Sequence, residues 1–177
     1  IIEKPLFTEV PITIDAHKEN NYIDFNYEGL IPRMSSKEGP TISVADINND
    51  GYDDVFIGGA KGENGYLYLQ KSSGKLSKFN AENFVTEKGF EDTASAFFDA
   101  DGDGDMDLYV GSGGNEEYEK FDLLTDRIYF NNGKGVFERN IEALPEFQYN
   151  TSVVAPYDFD EDGDIDLFIG SSGVSGT

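Results

Sequence analysis

The sequence of 177 residues contains no cysteine, and its single histidine is His17. Without cysteine the chain has neither a disulfide framework nor thiol chemistry, and the cysteine content therefore does not indicate the redox compartment. One histidine is too few for a reliable Ser-His-Asp triad or a His/Cys metal centre, and a lone histidine in a polar run is typical of a surface position. The chain also lacks any run of about 18 apolar residues, which argues against membrane insertion.

Basic residues are scarce. Lys and Arg number 13 against 35 Asp and Glu, so the formal net charge is −22. Such a charge is repelled by phosphates and by anionic membrane surfaces, which argues against a nucleic-acid partner. Aromatic residues make up 14% of the chain, and this content argues against disorder. The first residues, IIEKPLF, lack the basic start and apolar core of a signal peptide, so we expect a mature or excised piece.

The acidic residues concentrate in three loops with the same order of oxygen-bearing side chains. Counting from the first aspartate, side-chain oxygens stand at positions 1, 3, 5 and 9, a glycine stands at position 6, and position 7 offers its backbone carbonyl. Calcium takes about 6–8 oxygen ligands, and the glycine permits the sharp turn that such a shell needs. The predicted ligands are Asp46, Asn48, Asp50, Tyr52 and Asp54 in loop 1; Asp99, Asp101, Asp103, Asp105 and Asp107 in loop 2; and Asp158, Asp160, Asp162, Asp164 and Asp166 in loop 3.

The residues after each loop argue against an EF-hand. That motif requires a bidentate glutamate at position 12 and flanking helices, but position 12 falls on Ile57, Val110 and Ile169. The segments DVFIGGA, DLYVGSG and DLFIGSS instead read as short buried strands that end at glycine. Each loop is therefore predicted to join two strands, and a dockerin-like arrangement, which also requires a helix after the loop, is disfavoured for the same reason.

The loops belong to a longer repeat. They begin at residues 46, 99 and 158, so the period is 53 and then 59 residues. The first two units each contain four strand-like segments, and the third contains two. A four-stranded sheet of about 50 residues cannot cover both of its faces, so neighbouring units must stack. Radial stacking of such sheets gives an all-β fold of β-propeller blades with four antiparallel strands each. Small residues such as Ser43 and Ser95 precede the loops. They agree with innermost strands near the crowded axis of a propeller, and they agree equally with ordinary strand composition.

The loop D-x-[DN]-x-[DN]-G-x-x-D, followed by an apolar strand ending in Gly-Gly-Ala or Gly-Ser, resembles the FG-GAP or VCBS repeat of integrin-α-type propellers. The resemblance implies that calcium binds between the first and second strands of each blade and that blades form a seven-bladed ring. It covers residues 41–177, as a first blade at 41–92, a second at 93–150 and an incomplete third at 151–177. The lead-in, residues 1–40, is similar to that of large bacterial VCBS surface proteins.

Two features set this chain apart from a closed ring. It has about three blades, and the third ends after two strands, which would leave the strand at Asp166–Ile169 as an open edge. We expect an excerpt of a larger propeller, or completion by the lead-in or by self-association through open blade edges. Within the lead-in, Leu6–Ile14 and Tyr22–Tyr27 alternate well enough to be predicted as strands, the first at an edge or in two pieces because of Pro11.

These patterns predict an extracellular, periplasmic or cell-surface module that binds about three structural Ca²⁺ ions and binds a protein or glycan ligand, without being an enzyme. The alternative is part of a carbohydrate-active enzyme, a polysaccharide lyase or hydrolase whose carboxylates act as an acid and base pair. The insertion at Asn115–Thr125 is a candidate recognition loop with Tyr118 and Phe121 as contact residues, or else a solvated loop or a short helix.

Overall fold

The computed structural model describes residues 5–79, 87–114 and 121–173. Within these residues the chain forms two four-stranded antiparallel sheets and one two-stranded sheet, each ordered as in the sequence. The first sheet contains β1 (Ile42–Ala45), β2 (Asp54–Ile57), β3 (Tyr66–Gln70) and β4 (Leu76–Phe79). The second contains β5 (Asp92–Phe98), β6 (Asp107–Ser112), β7 (Arg127–Asn131) and β8 (Phe137–Arg139). The third contains β9 (Asn150–Tyr157) and β10 (Asp166–Ser172). This is the antiparallel blade architecture predicted from the repeat, with the third blade represented by two strands.

The main hydrophobic core lies between the first and second sheets. It includes Phe56 and Leu67 from the first sheet and Leu108, Tyr129 and Phe137 from the second, each no more than 1% exposed. Burying a side chain of this size contributes about 1.5–3 kcal/mol relative to leaving it in water. Each sheet therefore depends on its neighbour for stability, as expected for stacked blades.

A second core joins the second sheet to the third. Tyr109 and Ile128 of the second sheet are buried in it, and Val154, Leu167 and Ile169 of the third sheet pack against them. The three sheets thus form a continuous stack. The third sheet is covered on fewer sides, since Phe168 on β10 is 59% exposed, whereas its equivalents Phe56 and Tyr109 are fully buried.

The first strands of consecutive sheets lie next to each other. The Ser43 hydroxyl on β1 and the Ser95 hydroxyl on β5 are 2.5 Å apart, and Thr41 Oγ1 lies 2.8 Å from the same Ser95 oxygen. Small side chains permit this approach. The packing supports the interpretation that the strands entering the loops are the innermost strands of their blades.

The strands predicted in the lead-in are wrong. Residues 6–14 contain no strand in the structure, and Asp24–Asn26 forms a short 3-10 helix where Tyr22–Tyr27 was predicted to be extended. Pro11 has no N–H to donate to a neighbouring strand, and the apolar side chains of Leu6 and Phe7 are exposed, at 95% and 88%. The buried Asp24 accepts backbone N–H bonds from residues 35 and 36, at 2.6 and 3.0 Å, and these bonds favour a compact turn over a strand.

Part of the predicted insertion lies outside the described residues, including Tyr118. Its described end, Phe121–Leu124, is a 3-10 helix, which agrees with the short-helix alternative for this segment. Among the helices that the structure describes, none is long and apolar enough to cross a bilayer.

Candidate metal sites

Strand pairing brings the first and ninth positions of each acidic loop together. The residue before position 1 pairs with position 9 in all three hairpins: Ala45 with Asp54, Phe98 with Asp107, and Tyr157 with Asp166. The loops therefore join the first and second strand of each sheet, as the sequence predicts. The two ends of each predicted ligand set meet at the same end of the hairpin.

The carboxylates converge most closely in loops 2 and 3. In loop 2, one carboxylate oxygen each from Asp99, Asp101 and Asp107 lie within 4.8 Å of one another. Loop 3 repeats this cluster with the aspartates at positions 158, 160 and 166. An oxygen-only cluster at positions 1, 3 and 9 of a nine-residue loop can hold a hard divalent cation.

Backbone N–H groups orient the position 1 carboxylate. In loop 2, Asp99 accepts hydrogen bonds from the N–H of Asp103 at 3.1 Å and of Gly104 at 3.0 Å. Loops 1 and 3 contain the same two bonds, to Asp46 and Asp158. The glycine at position 6 has a positive φ in every loop, with values of 85°, 93° and 99°, so the turn requires the left-handed conformation that glycine adopts freely.

Position 4 is also left-handed, which the sequence analysis did not anticipate. Asn49 has a φ of 58°, Gly102 of 77° and Glu161 of 61°. Asparagine and glycine tolerate this conformation, and glutamate does so less readily. The three loops therefore share one backbone shape even where their side chains differ.

The position 9 carboxylate is held on both sides in the two complete sheets. Asp107 accepts the N–H of Ala100, at position 2, at 2.8 Å, and the N–H of Asn131, at the end of β7, at 2.8 Å. Asp54 makes the equivalent pair of bonds, to the N–H of Ile47 at 3.3 Å and of Gln70 on β3 at 2.8 Å. These bonds couple each loop to the third strand of its own sheet.

The third loop keeps one half of this arrangement. Asp166 accepts the position 2 N–H, from Phe159, at 2.9 Å. Within the described residues β10 pairs with β9 alone, so a third strand that would supply the second N–H is absent there. Asp166 is exposed, whereas Asp54 and Asp107 are completely buried.

Burial and repulsion raise the pKa of the position 9 carboxyls of loops 1 and 2. Burial raises the pKa of Asp107 above its ordinary value, and the charges of Asp101 and Asp103 add to this effect. Burial raises the pKa of Asp54 in the same way, with added repulsion from Asp50 and Asp46. A divalent cation would relieve both effects, because it stabilises the ionised carboxylates in place.

The remaining predicted ligands are placed less uniformly. Loop 1 has an amide, Asn48, at position 3, and its carboxylates do not form a three-carboxylate cluster of the kind that the described part of loops 2 and 3 contains. The position 5 residues Asp50, Asp103 and Asp162 lie outside the two clusters and each accepts the N–H of position 7, at 2.9–3.0 Å. The position 7 residues, at 52, 105 and 164, were predicted to bind through backbone carbonyls, and this stays a prediction.

Loops 1 and 2 also contact each other, which no local pattern indicated. Asn49 Nδ2 donates to Asp105 Oδ1 at 3.0 Å, and the side chain of Asn131 donates to the carbonyls of Ile47 at 2.7 Å and Met106 at 3.0 Å. Asn131 is the last residue of β7 and the first of an Asn-Asn-Gly sequence, which predicts a hairpin turn but not a contact between blades. Hydrogen bonds therefore join the loops of the first two candidate metal sites to each other.

A comparison with protein families identifies the repeat. The family model described as FG-GAP-like repeat matches residues 46–110. The matched segment begins at position 1 of loop 1, directly after β1, and ends in β6, so it contains loops 1 and 2 and strands β2 to β5. The match agrees with the resemblance read from the loop motif, and loop 3 lies beyond it.

Proposed function

We propose that this chain, which carries an FG-GAP-like repeat, is an extracellular or cell-surface β-propeller module in which bound calcium holds the acidic loops in shape for binding a protein or glycan ligand. The observation that supports it most is the shared loop geometry. Three loops orient their carboxylates through the same backbone bonds, and two of them bring three carboxylate oxygens within 4.8 Å of one another. The carboxylates within such a cluster repel one another unless a cation neutralises them.

Calcium suits these loops better than other metals. The donors are carboxylate, amide and carbonyl oxygens, which favour calcium, magnesium or manganese over the softer transition metals. Calcium accepts a flexible, irregular shell of about 6–8 oxygens, whereas magnesium requires a near-ideal octahedron and gives up its water reluctantly. Five predicted protein ligands per loop leave room for a bidentate carboxylate or a water to complete a calcium shell.

The proposed role of the metal is structural. Extracellular calcium modules bind with dissociation constants of about 10⁻⁴–10⁻³ M. At a concentration of about ten times that constant, one site adds about 1.4 kcal/mol to the free energy of unfolding. Three sites would add about 4 kcal/mol, a large share of the stability of a typical domain. Sites of this affinity fill outside a cell rather than in the cytosol, which supports an extracellular location.

We propose a binding role rather than catalysis because the clustered aspartates are the proposed calcium ligands. A carboxylate that binds calcium is a poor general base, since its lone pairs and its charge are already engaged. The repeated sheets form a rigid scaffold whose connecting loops are the parts free to vary, and such loops commonly carry recognition.

Isothermal titration calorimetry of the metal-stripped protein tests the calcium proposal. We expect about three Ca²⁺ ions per chain, and about two in Asp103→Ala and in Asp162→Ala, because each substitution removes a position 5 ligand. Asp122→Ala is the matched control, since Asp122 is an exposed acid outside the loops. Addition of a chelator should lower the melting temperature of the wild type, and magnesium should restore less of it than calcium. An unchanged stoichiometry in both loop variants would contradict the assignment.

A further inference from the structure

Asn131, the last residue of β7, contacts both of the first two candidate metal sites. Its side-chain Nδ2 donates to the carbonyl of Ile47, at position 2 of loop 1, at 2.7 Å, and to the carbonyl of Met106, at position 8 of loop 2, at 3.0 Å. Its backbone N–H donates to Asp107 Oδ1, the position 9 carboxylate of loop 2, at 2.8 Å. One residue outside both loops therefore binds to both of them.

Four hydrogen bonds fix the orientation of the Asn131 side chain. The residue is 6% exposed, and besides the two bonds from Nδ2, its Oδ1 accepts the N–H of Asn132 at 2.9 Å and of Gly135 at 3.1 Å. An asparagine amide offers two donors and an acceptor with two lone pairs, so its capacity is fully used. A shift of either loop would break at least one of these bonds, and a buried polar group without a partner is unfavourable.

Ile47 extends the connection to the position 9 carboxylate of loop 1. This residue is completely buried, and its N–H donates to Asp54 Oδ2 at 3.3 Å. Its carbonyl accepts from Asn131 and also from the N–H of Gly135 at 3.1 Å. The buried carboxylates of Asp54 and Asp107 are thus joined through Ile47 and Asn131. Displacing one of these carboxylates strains the hydrogen bonds that hold the other.

A second contact joins the loops at their surface. Asn49 Nδ2, at position 4 of loop 1, donates to Asp105 Oδ1, at position 7 of loop 2, at 3.0 Å. The Asp105 carboxylate also packs against Gly133 in the turn after β7, where an added Cβ would lie 2.5 Å from Asp105 Oδ2. We call Asn131 and Asn49, with these contacts to the two loops, the loop bridge.

Loop 3 has no such bridge to loop 2 among the residues that the structure describes. Asp158 and Asp166 accept their hydrogen bonds from the backbone of loop 3 itself. A bridge from the third sheet would come from the end of a third strand, and in the described part β10 pairs with β9 alone. Loop 3 therefore serves as an internal reference for the other two.

We propose that Asn131 is a positioning residue that couples calcium binding at loop 1 to calcium binding at loop 2, with loop 3 independent of both. The inference rests on the proposed calcium binding and adds its regulation. Filling of one loop fixes its carboxylates and, through the loop bridge, orders the other loop, so that the second ion meets a loop that has already lost part of its freedom. Linkage makes the effect mutual, because each loop raises the calcium affinity of the other by the same factor.

Electrostatic repulsion predicts the opposite effect, so the two can be distinguished. Loop 2 contains five aspartates. A bound calcium ion offsets two of these charges, whereas Asp99→Ala disables the loop and removes one. Loop 1 therefore faces more negative charge in this variant than beside a filled loop 2, and on electrostatics alone it would bind calcium more tightly. The loop bridge predicts weaker binding.

Amide NMR of the full chain during a calcium titration measures each loop separately. The reporters are the position 6 glycines, Gly51, Gly104 and Gly163, whose N–H groups donate to the position 1 carboxylates. We expect Asp99→Ala to weaken calcium binding at loop 1, reported by Gly51, at least about fivefold. Asp158→Ala, which disables loop 3, is the matched control and should leave the Gly51 titration unchanged.

Two variants test the bridge itself. In Asn131→Ala, further addition of Asp99→Ala should change the calcium affinity of loop 1 by less than about twofold. Asn132→Ala is the matched control, since Asn132 is the exposed neighbour, and it should keep the full dependence on loop 2. Asn49→Gly replaces Asn131→Ala if that variant does not fold, because Asn49 is exposed and has a φ of 58°, which glycine adopts freely. It should reduce the dependence at least about twofold.

The outcomes separate this inference from the calcium proposal. An unchanged loop 1 affinity in Asp99→Ala would overturn the coupling. Full dependence on loop 2 in Asn131→Ala, or in Asn49→Gly if Asn131→Ala does not fold, would overturn the role of the loop bridge. Three independent calcium titrations would therefore reject the coupling alone, whereas the absence of calcium-dependent shifts at all three glycines would reject the proposed metal sites.

Discussion

Truncation of Phe137 tests whether the sheets depend on one another. Phe137 belongs to β8 of the second sheet, yet it is 1% exposed in a core that also contains Ile47 and Phe56 of the first sheet and its loop. Replacing a buried phenylalanine by alanine costs about 3–5 kcal/mol, which combines lost transfer energy with the cavity that remains. For a chain of this size, each kcal/mol lowers the melting temperature by about 2–4 °C. The predicted decrease for Phe137→Ala is therefore roughly 6–20 °C.

The assay combines thermal denaturation, urea denaturation and hydrogen exchange, all in saturating calcium. If the sheets stack as the core indicates, amides of β2 and β3 should lose protection in Phe137→Ala although the substitution lies in another sheet. Val136→Ala is the matched control, since its side chain is 53% exposed, and it should change the free energy of unfolding by no more than about 0.5 kcal/mol. Loss of protection confined to β5 to β8 would refute the stacking argument.

Three other substitutions test single contacts. Arg127→Met should cost about 3–5 kcal/mol in urea denaturation, because it leaves the buried carboxylate 2.5 Å from Arg127 without its partner; Arg33→Met, at a side chain 78% exposed, should cost no more than about 1 kcal/mol. Burial raises the pKa of the Asp126 carboxyl above 3.8. The stability that comes from binding this proton in the folded state is therefore complete below pH 3.8 and is lost as the pH rises through the folded-state pKa. Asp126→Asn cannot lose a proton there, so its free energy of unfolding relative to wild type, measured with chelator, should increase as the pH rises above about 4. Gly111→Ala should cost about 1–3 kcal/mol, since its Cβ would lie 2.6 Å from a threonine methyl group of the third sheet, whereas Gly29→Ala, with nothing within 4 Å, should leave the melting temperature unchanged.

The loops and the strands after them could be predicted because their signals are local. Ligand spacing, the glycine at position 6 and the apolar run that follows all fall within about a dozen residues, and their repetition at similar intervals identifies the blades. The predicted segments at DVFIGGA, DLYVGSG and DLFIGSS are strands β2, β6 and β10. Positions 1, 3 and 9 of loops 2 and 3 converge as the spacing indicates.

Contacts between distant residues could not be predicted in the same way. The pairing of Asp92 with Arg127 spans 35 residues, and the bond from Asn131 to the Ile47 carbonyl spans 84. Neither partner carries a local pattern that indicates the other. The same limit explains the wrong strands in the lead-in, because a strand requires a partner, and alternation in Leu6–Ile14 does not show whether one exists. His17 lines a pocket together with residues of the first sheet such as Ile57 and Tyr68, and its neighbours along the chain do not indicate this position.

The difference between loops 2 and 3 leads to a prediction about calcium affinity. Both loops have aspartate at positions 1, 3, 5, 7 and 9, so their ligand types and charges are the same. In loop 2, position 9 is fixed by two backbone N–H groups, one of them from β7, whereas loop 3 supplies one. Hydrogen bonds that orient a metal-binding side chain typically contribute 10–100-fold in affinity.

Loop 3 should therefore bind calcium at least about tenfold more weakly than loop 2. Calorimetry on Asp99→Ala, which disables loop 2, and on Asp158→Ala, which disables loop 3, separates the two sites. We expect Asp99→Ala to remove a tighter binding event and Asp158→Ala a weaker one. Equal affinities in loops 2 and 3 would mean that the β7 bond to Asp107 does not orient the ligand. The coupling between each loop and the third strand of its sheet would then have no effect on metal binding, and the lower affinity expected of an incomplete blade would have no physical basis.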